Sequence, residues 1–161
     1  MQDSKKPVVL VHEANAATQA DLFNEVSELL KKRGAVESTF LNALKQREAL
    51  FPTGLDFGDF AVAIPHIDPE HVRVPGLVVC RNSIPILFNA MDRHDRELEV
   101  RVTFWPLVVD PHEQVGLLAA LLQFLQVDDN YERLSHGNPN DVRMMIQTLI
   151  SSSLKDNEEE S

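Results

Sequence analysis

Apolar positions recur at helical spacing in the first and last thirds of this chain and at strand spacing between them. After a polar start, residues 8–11 form a short apolar run of strand type. Thr18 and Asp21 stand three residues apart as a capping-box-like pair that opens a helix. Leu22, Phe23, Val26, Leu29 and Leu30 fall on one face of it. Lys31, Lys32 and Arg33 fill its last turn, and Gly34 is placed to close it. A second helix is expected from near Ser38, burying Phe40, Leu41 and Leu44 before the turn at Pro52-Thr53-Gly54.

The middle of the chain reads as strands. Residues 60–64, 77–80 and 86–88 are short apolar runs, the first two bounded by Pro and Gly. Residues 97–105 alternate, with Leu98, Val100, Val102 and Phe104 on one face and Glu99, Arg101 and Thr103 on the other, as a half-covered strand requires. A turn at residues 92–95 makes a hairpin of the last two runs.

Helix returns in the last third. Asp110 is placed as an N-cap, Pro111 as the first helical residue and Glu113 as the far half of the capping box. Val115, Leu118, Leu121, Leu122 and Leu125 are expected to face inward. A final helix starts at Asn138-Pro139 and carries Val142, Met145, Ile146 and Leu149. Helices, strands and helices in that order predict an α/β or α+β sandwich on a mixed sheet. With no internal repeat and no Pro-, Gly- or Ser-rich linker, residues 1–154 read as a single domain and residues 155–161 as a frayed acidic tail.

Composition narrows the function classes without naming one. The 25 acidic and 15 basic residues give a formal charge of −10, which disfavours nucleic acid and suits solubility or a basic protein partner. No apolar run approaches the roughly 20 residues of a membrane helix, and no signal-peptide pattern opens the chain. Cys80 is the single cysteine, so no internal disulfide framework exists and a cytoplasmic setting is expected.

The remaining chemistry lies in six histidines. His66 ends the run Ala61-Val62-Ala63-Ile64-Pro65, where a buried strand breaks at proline and emerges toward solvent. A neutral imidazole is a competent nucleophile near pH 7, and a hydrogen bond at Nδ1 would present Nε2 in the reactive tautomer. The same position also suits an ordinary turn histidine. His112 falls in the first turn of the helix capped by Asp110, where free N–H groups and the helix dipole favour an anion. It reads either as a donor to a phosphoryl oxygen or as a solvent-facing residue. His66, Asp68 and His71 form the string HIDPEH, whose spacing is not one of the recurrent zinc patterns. His12, His94 and His136 sit among polar, turn-like neighbours and read as surface residues, and Cys80 as buried and inert.

The stretch REALFPTGLDFGDFAVAIPHIDPEH, residues 47–71, resembles the active-site region of enzyme IIA components of the bacterial phosphoenolpyruvate-dependent sugar phosphotransferase system. The resemblance is to the fructose–mannitol type and rests on Arg47-Glu48, Thr53-Gly54 and Ala63-Ile64-Pro65-His66. It continues over residues 110–125, where His112 takes the place of a second active-site histidine at a helix start. Within that family, residues 51–55 and 68–71 look most like the galactitol-specific branch. Ile67 departs from it, since relatives commonly carry threonine or glycine beside the nucleophile.

The resemblance implies the mixed-sheet α/β sandwich of that family. It also implies a phosphocarrier that takes a phosphoryl group from HPr on His66 Nε2 and passes it to a cysteine of enzyme IIB, which serves a membrane IIC. His112 and Arg47 would stabilise the charge of the group in transit. No metal or other cofactor is implied, nor any membrane insertion of this chain. A regulatory module controlled by phosphorylation of His66 is the alternative role.

Overall fold

A computed structural model describes the backbone of residues 6–160 and the side chains of residues 6–153. One five-stranded sheet organises the molecule, in the order β1-β4-β5-β3-β2. The strands are β1 (Val8–Ala14), β2 (Gly54–Asp56), β3 (Ala61–Ala63), β4 (Gly76–Asn89) and β5 (Glu97–Leu107). The helices are α1 (Gln19–Lys32), α2 (Phe40–Leu50), α3 (Pro111–Gln126), α4 (Asn130–His136) and α5 (Pro139–Glu160). β1 pairs parallel with β4 and β3 parallel with β5, whereas β4–β5 and β2–β3 pair antiparallel. The expected mixed-sheet sandwich is therefore the observed fold.

Each face of the sheet carries its own core. On one, Leu22, Phe23, Val26 and Leu30 of α1 join Phe40 and Leu44 of α2 against Val78, Trp105 and Leu107. Phe23 meets Trp105 edge to face at 5.4 Å, a geometry that suits the ring quadrupoles. On the other, Leu121 and Leu125 of α3 and Val142 and Ile146 of α5 cover Val62, Leu77, Val79, Val102 and Phe104. Strands covered on both faces read as continuous apolar runs, and residues 77–80 do so.

Local signals set several boundaries. Thr18 Oγ1 accepts from the Asp21 N–H at 3.1 Å and so caps α1. Gly34 takes φ +67° just past its end, a left-handed conformation that glycine adopts without cost. Asp110 caps α3 through the His112 N–H at 3.0 Å.

Other expectations are corrected. The runs at residues 77–80 and 86–88 are one strand, β4, whose register shifts between Arg81 and Ile86. Pro85 lies inside that irregularity, where a residue without an N–H costs no ladder bond. The hairpin with β5 exists but is far longer than residues 86–88 require. Along β5, Leu98 and Val100 belong to the first core and Val102 and Phe104 to the second, the change falling at the same irregularity. Thr103, expected outward, is buried and accepts from Trp105 Nε1 at 2.8 Å. In α3, Val115 is 75% exposed and Leu117 is buried in its stead, because the helix packs on the line Leu117, Leu121, Leu125. The short helix α4 was not expected. α5 continues to Glu160; for the acidic tail expected over residues 155–161, the side chains and Ser161 lie outside the described residues.

Candidate active site

His66 stands three residues past the end of β3, and α3 begins four residues past the end of β5. Because β3 and β5 run parallel, both chain segments leave the sheet at the same edge. The carboxyl edge of parallel strands is where rigid backbone delivers side chains to a crevice.

The ring of His66 is half-buried and oriented at both nitrogens. Nδ1 lies 2.6 Å from the Ile64 carbonyl oxygen. A carbonyl only accepts, so the proton sits on Nδ1 and the lone pair on Nε2. The terminal NH2 of Arg47 then donates to Nε2 across 3.4 Å, a long contact. Burial, chiefly, holds the imidazole pKa below its ordinary value; the Ile64 bond opposes this, Arg47 adds to it, and Asp68 opposes it more weakly. The outcome is a neutral ring with its nucleophilic nitrogen facing a cation.

Arg47 comes from the last turn of α2. Its guanidinium lies 5.7 Å from the centroid of the Phe51 ring, and its NH1 donates to Asp68 Oδ1 at 3.4 Å. Its Nε is buried with no partner among the described residues. The guanidinium is thus held in place without being saturated.

Glu48, next in sequence, is buried and accepts from the Thr53 N–H at 2.9 Å and from Thr53 Oγ1 at 3.0 Å. The Thr53 carbonyl in turn receives the Ile64 N–H at 3.3 Å. These bonds link the end of α2, through Thr53, to the backbone two residues before His66. Desolvation raises the Glu48 pKa, against the two Thr53 bonds and Arg47. Beside Thr53, Gly54 allows close approach: a Cβ there would stand 2.6 Å from the Asn89 carbonyl oxygen.

His112 is exposed in the first turn of α3, and its N–H donates to Asp110. Among the described residues no hydrogen bond joins its ring to His66 or Arg47. The structure therefore brings Arg47 onto His66 and leaves the His112 ring free at the same edge. Gln114, two residues on, donates to the Ile67 carbonyl at 3.4 Å and ties α3 to the loop after His66. Ile67 itself is 3% exposed and packs in the first core, so it anchors this loop from beneath.

The other candidates lie away from His66 or have partners of their own. His71 Nδ1 meets Thr39 Oγ1 at 2.7 Å, and among the described residues no three His, Cys, Asp or Glu converge on a metal-sized space. His94 and His136 are exposed, as expected. His12 is not in a turn: it lies in β1, with Nε2 2.6 Å from Glu25 Oε2. Burial pushes the Cys80 thiol up to about 12, which leaves it unreactive near neutrality.

Reading by motif gave Glu48 and Thr53 no role, and missed Asp68 and Gln114 as neighbours of the site. For Glu48 a signal existed. It lies four residues after Leu44 on the apolar side of α2, a position where an ionisable residue needs a dedicated partner.

Comparison with known proteins identifies the family. The family model described as "Phosphoenolpyruvate-dependent sugar phosphotransferase system, EIIA 2" matches residues 4–148. Galactitol-specific EIIA components of Escherichia coli K12 and O157:H7 are 29% identical over 116 residues, covering 72% of this chain and 77% of theirs. The nitrogen regulatory protein IIA-Ntr of Neisseria meningitidis superposes with a TM-score of 0.68 at 25% identity, over 86% of this chain and 92% of that one. The mannitol enzyme IIA of Escherichia coli, in its complex with phosphorylated enzyme IIB, superposes with a TM-score of 0.66 at 25% identity, over 89% and 94%. Among the described residues, no helix is long and apolar enough to cross a membrane. The chain belongs to the EIIA 2 family of the phosphoenolpyruvate-dependent sugar phosphotransferase system, whose members are phosphotransferase components.

Proposed function

We propose that this protein is a cytoplasmic phosphocarrier that receives a phosphoryl group from phosphorylated HPr on His66 Nε2 and hands it to a cysteine of an enzyme IIB. One observation carries this reading: Nδ1 of His66 is fixed as donor to the Ile64 carbonyl, so Nε2 offers its lone pair directly in front of Arg47. In the transfer the lone pair attacks phosphorus and the donor's N–P bond breaks, returning its electron pair to the donor imidazole. The proton on His66 Nδ1 stays where the Ile64 carbonyl holds it.

Phosphoryl transfer asks mainly for positioning and for charge stabilisation on the equatorial oxygens. Arg47 supplies donors that its present contacts leave underused. His112 and the free N–H groups of the first turn of α3 supply more at the same edge. The reverse chemistry delivers the group onward: an S–P bond forms to the IIB thiolate as the N–P bond at His66 breaks. The galactitol-specific relatives support galactitol or a related polyol as the sugar served through a membrane IIC.

Similarity to a nitrogen regulatory IIA favours a second reading, in which phosphorylated His66 controls partners without feeding uptake. Incubation with labelled phosphoenolpyruvate, enzyme I, HPr and candidate IIB proteins separates the two. Label that passes through His66 to a IIB supports transport. Label that stays on this protein whatever IIB is offered supports regulation, and no label on the wild type defeats both.

A further inference from the structure

Asp68 shares Arg47 with the nucleophile. Arg47 NH1 reaches Asp68 Oδ1 and Arg47 NH2 reaches His66 Nε2, each at 3.4 Å, so one planar guanidinium bridges a carboxylate and the reacting nitrogen. The Asp68 side chain is 63% exposed and its backbone leads into a short 3-10 turn, Pro69–His71. It caps nothing: no side-chain hydrogen bond from Asp68 satisfies the start of that turn. Among the described residues, its carboxylate bonds to Arg47. A purely structural explanation for a carboxylate at this position is therefore weak, whereas an electrostatic one follows from the geometry.

Once a phosphoryl group occupies Nε2, its oxygens, with up to about two negative charges, and the Asp68 carboxylate face the same cation. Asp68 then competes with the phosphoryl oxygens for the charge of Arg47, and its carboxylate stands beside an anion of the same sign. Both effects favour the unphosphorylated protein. Building on the phosphocarrier reading, we propose that Asp68 destabilises the phosphoryl group on His66, keeping it readily transferable to the thiolate that accepts it. Asp68 is on this account a tuning residue that acts through Arg47 and through space. The same bonds form and break as in the transfer above, with the balance between donor and acceptor moved.

The test compares wild type with Asp68→Asn, which keeps the shape and removes the charge, and with Asp68→Glu, which restores it. Each is equilibrated with HPr and labelled phospho-HPr, and the label on each protein is measured after checking the fold by thermal melting. The expected result is a shift of about fivefold toward the phosphorylated protein in Asp68→Asn, the scale of a partly screened charge pair. A matching slowing of onward transfer to IIB is expected, and a near wild-type balance in Asp68→Glu. An unchanged balance in Asp68→Asn overturns the inference, and a shift toward phospho-HPr overturns it in favour of a residue that merely holds Arg47 in place. If the wild type takes no label on His66, the phosphocarrier reading falls and this inference with it; a labelled wild type with an indifferent Asn variant fells the inference alone.

Discussion

His12 and His66 each bring one ring nitrogen within 2.6 Å of an oxygen, yet the two oxygens give the rings opposite chemistry. In β1, His12 spends Nε2 on the Glu25 carboxylate, so that nitrogen carries a proton and offers no lone pair outward. Past β3, His66 spends Nδ1 on a backbone carbonyl and leaves Nε2 unprotonated, with one long contact from Arg47 on its lone pair. The pairing of a histidine with a carboxylate or a carbonyl, at the outer or inner nitrogen, decides whether its Nε2 keeps a lone pair fit for the proposed attack on phosphorus. A cation beside the nucleophilic nitrogen also disfavours the imidazolium form and waits for the incoming charge.

The sharpest break in this comparison is removal of each ring in turn. His66→Ala is expected to reduce phosphorylation by HPr to background. His12→Ala is expected to keep it while losing about 1 kcal/mol of stability or less, since the pair it breaks is partly exposed. Label measured by autoradiography and melting followed by circular dichroism check both halves. A labelled His66→Ala protein would move the phosphoryl site elsewhere.

Next in size is the cation. Arg47→Ala is expected to slow acceptance of phosphoryl by about 10²-fold, the usual scale for one preorganised donor lost from a charged transition state. The same variant should raise the midpoint at which His66 protonates, because Arg47 holds it down. In the wild type, His66 stays neutral to a pH below the ordinary histidine range, so acceptance rates should be flat through neutrality and fall only in more acidic solution. Single-turnover rates against pH, with the His66 ring followed by NMR, test rate and midpoint together.

Removal of the buried clamp comes third. Glu48→Ala leaves the Thr53 N–H and hydroxyl without their acceptor and is expected to cost about 2–3 kcal/mol. Glu48→Gln keeps an acceptor for Thr53 and should cost less than the alanine change. Because burial raises the folded pKa of Glu48, its contribution to stability is greatest below the ordinary glutamate range and declines as pH rises through the raised folded value. Denaturation midpoints across that interval should lose this part of their slope in Glu48→Gln.

The smallest effect is expected at His112. Its ring is exposed and, among the described residues, unbonded to the site, so His112→Ala should slow transfer by roughly tenfold or less and leave the fold intact. Transfer kinetics identical to wild type would strike His112 from the phosphoryl-binding groups.

The sequence was most legible where one residue type has one local use. Thr18 and Asp110 cap the helices they were expected to cap, Gly34 ends α1, and the apolar runs lie in the sheet. It was least legible where tertiary packing overrules local pattern. The polar residues 81–83 and Pro85 read as a break between strands, yet an irregularity in register carries β4 through them. Val115 and Leu117 are both apolar, and only the direction of approach of the sheet selects Leu117. At the site, His66 was visible as a strand-end histidine, and its motif pointed to Arg47. The bonds of Glu48 to Thr53 and of Arg47 to Asp68 join different elements or cross a turn, so no periodicity announces them.

The central claim is that Nε2 of His66 is the atom that carries phosphoryl. Long-range ¹H–¹⁵N spectra of the histidine-labelled protein, recorded before and after incubation with phosphoenolpyruvate, enzyme I and HPr, test it most directly. A phosphorus-shifted Nε2 resonance in the His66 ring, with Nδ1 still protonated and no phosphorus on any of the other five rings, is the predicted result. Phosphorylation at Nδ1, or on any ring but that of His66, would contradict it.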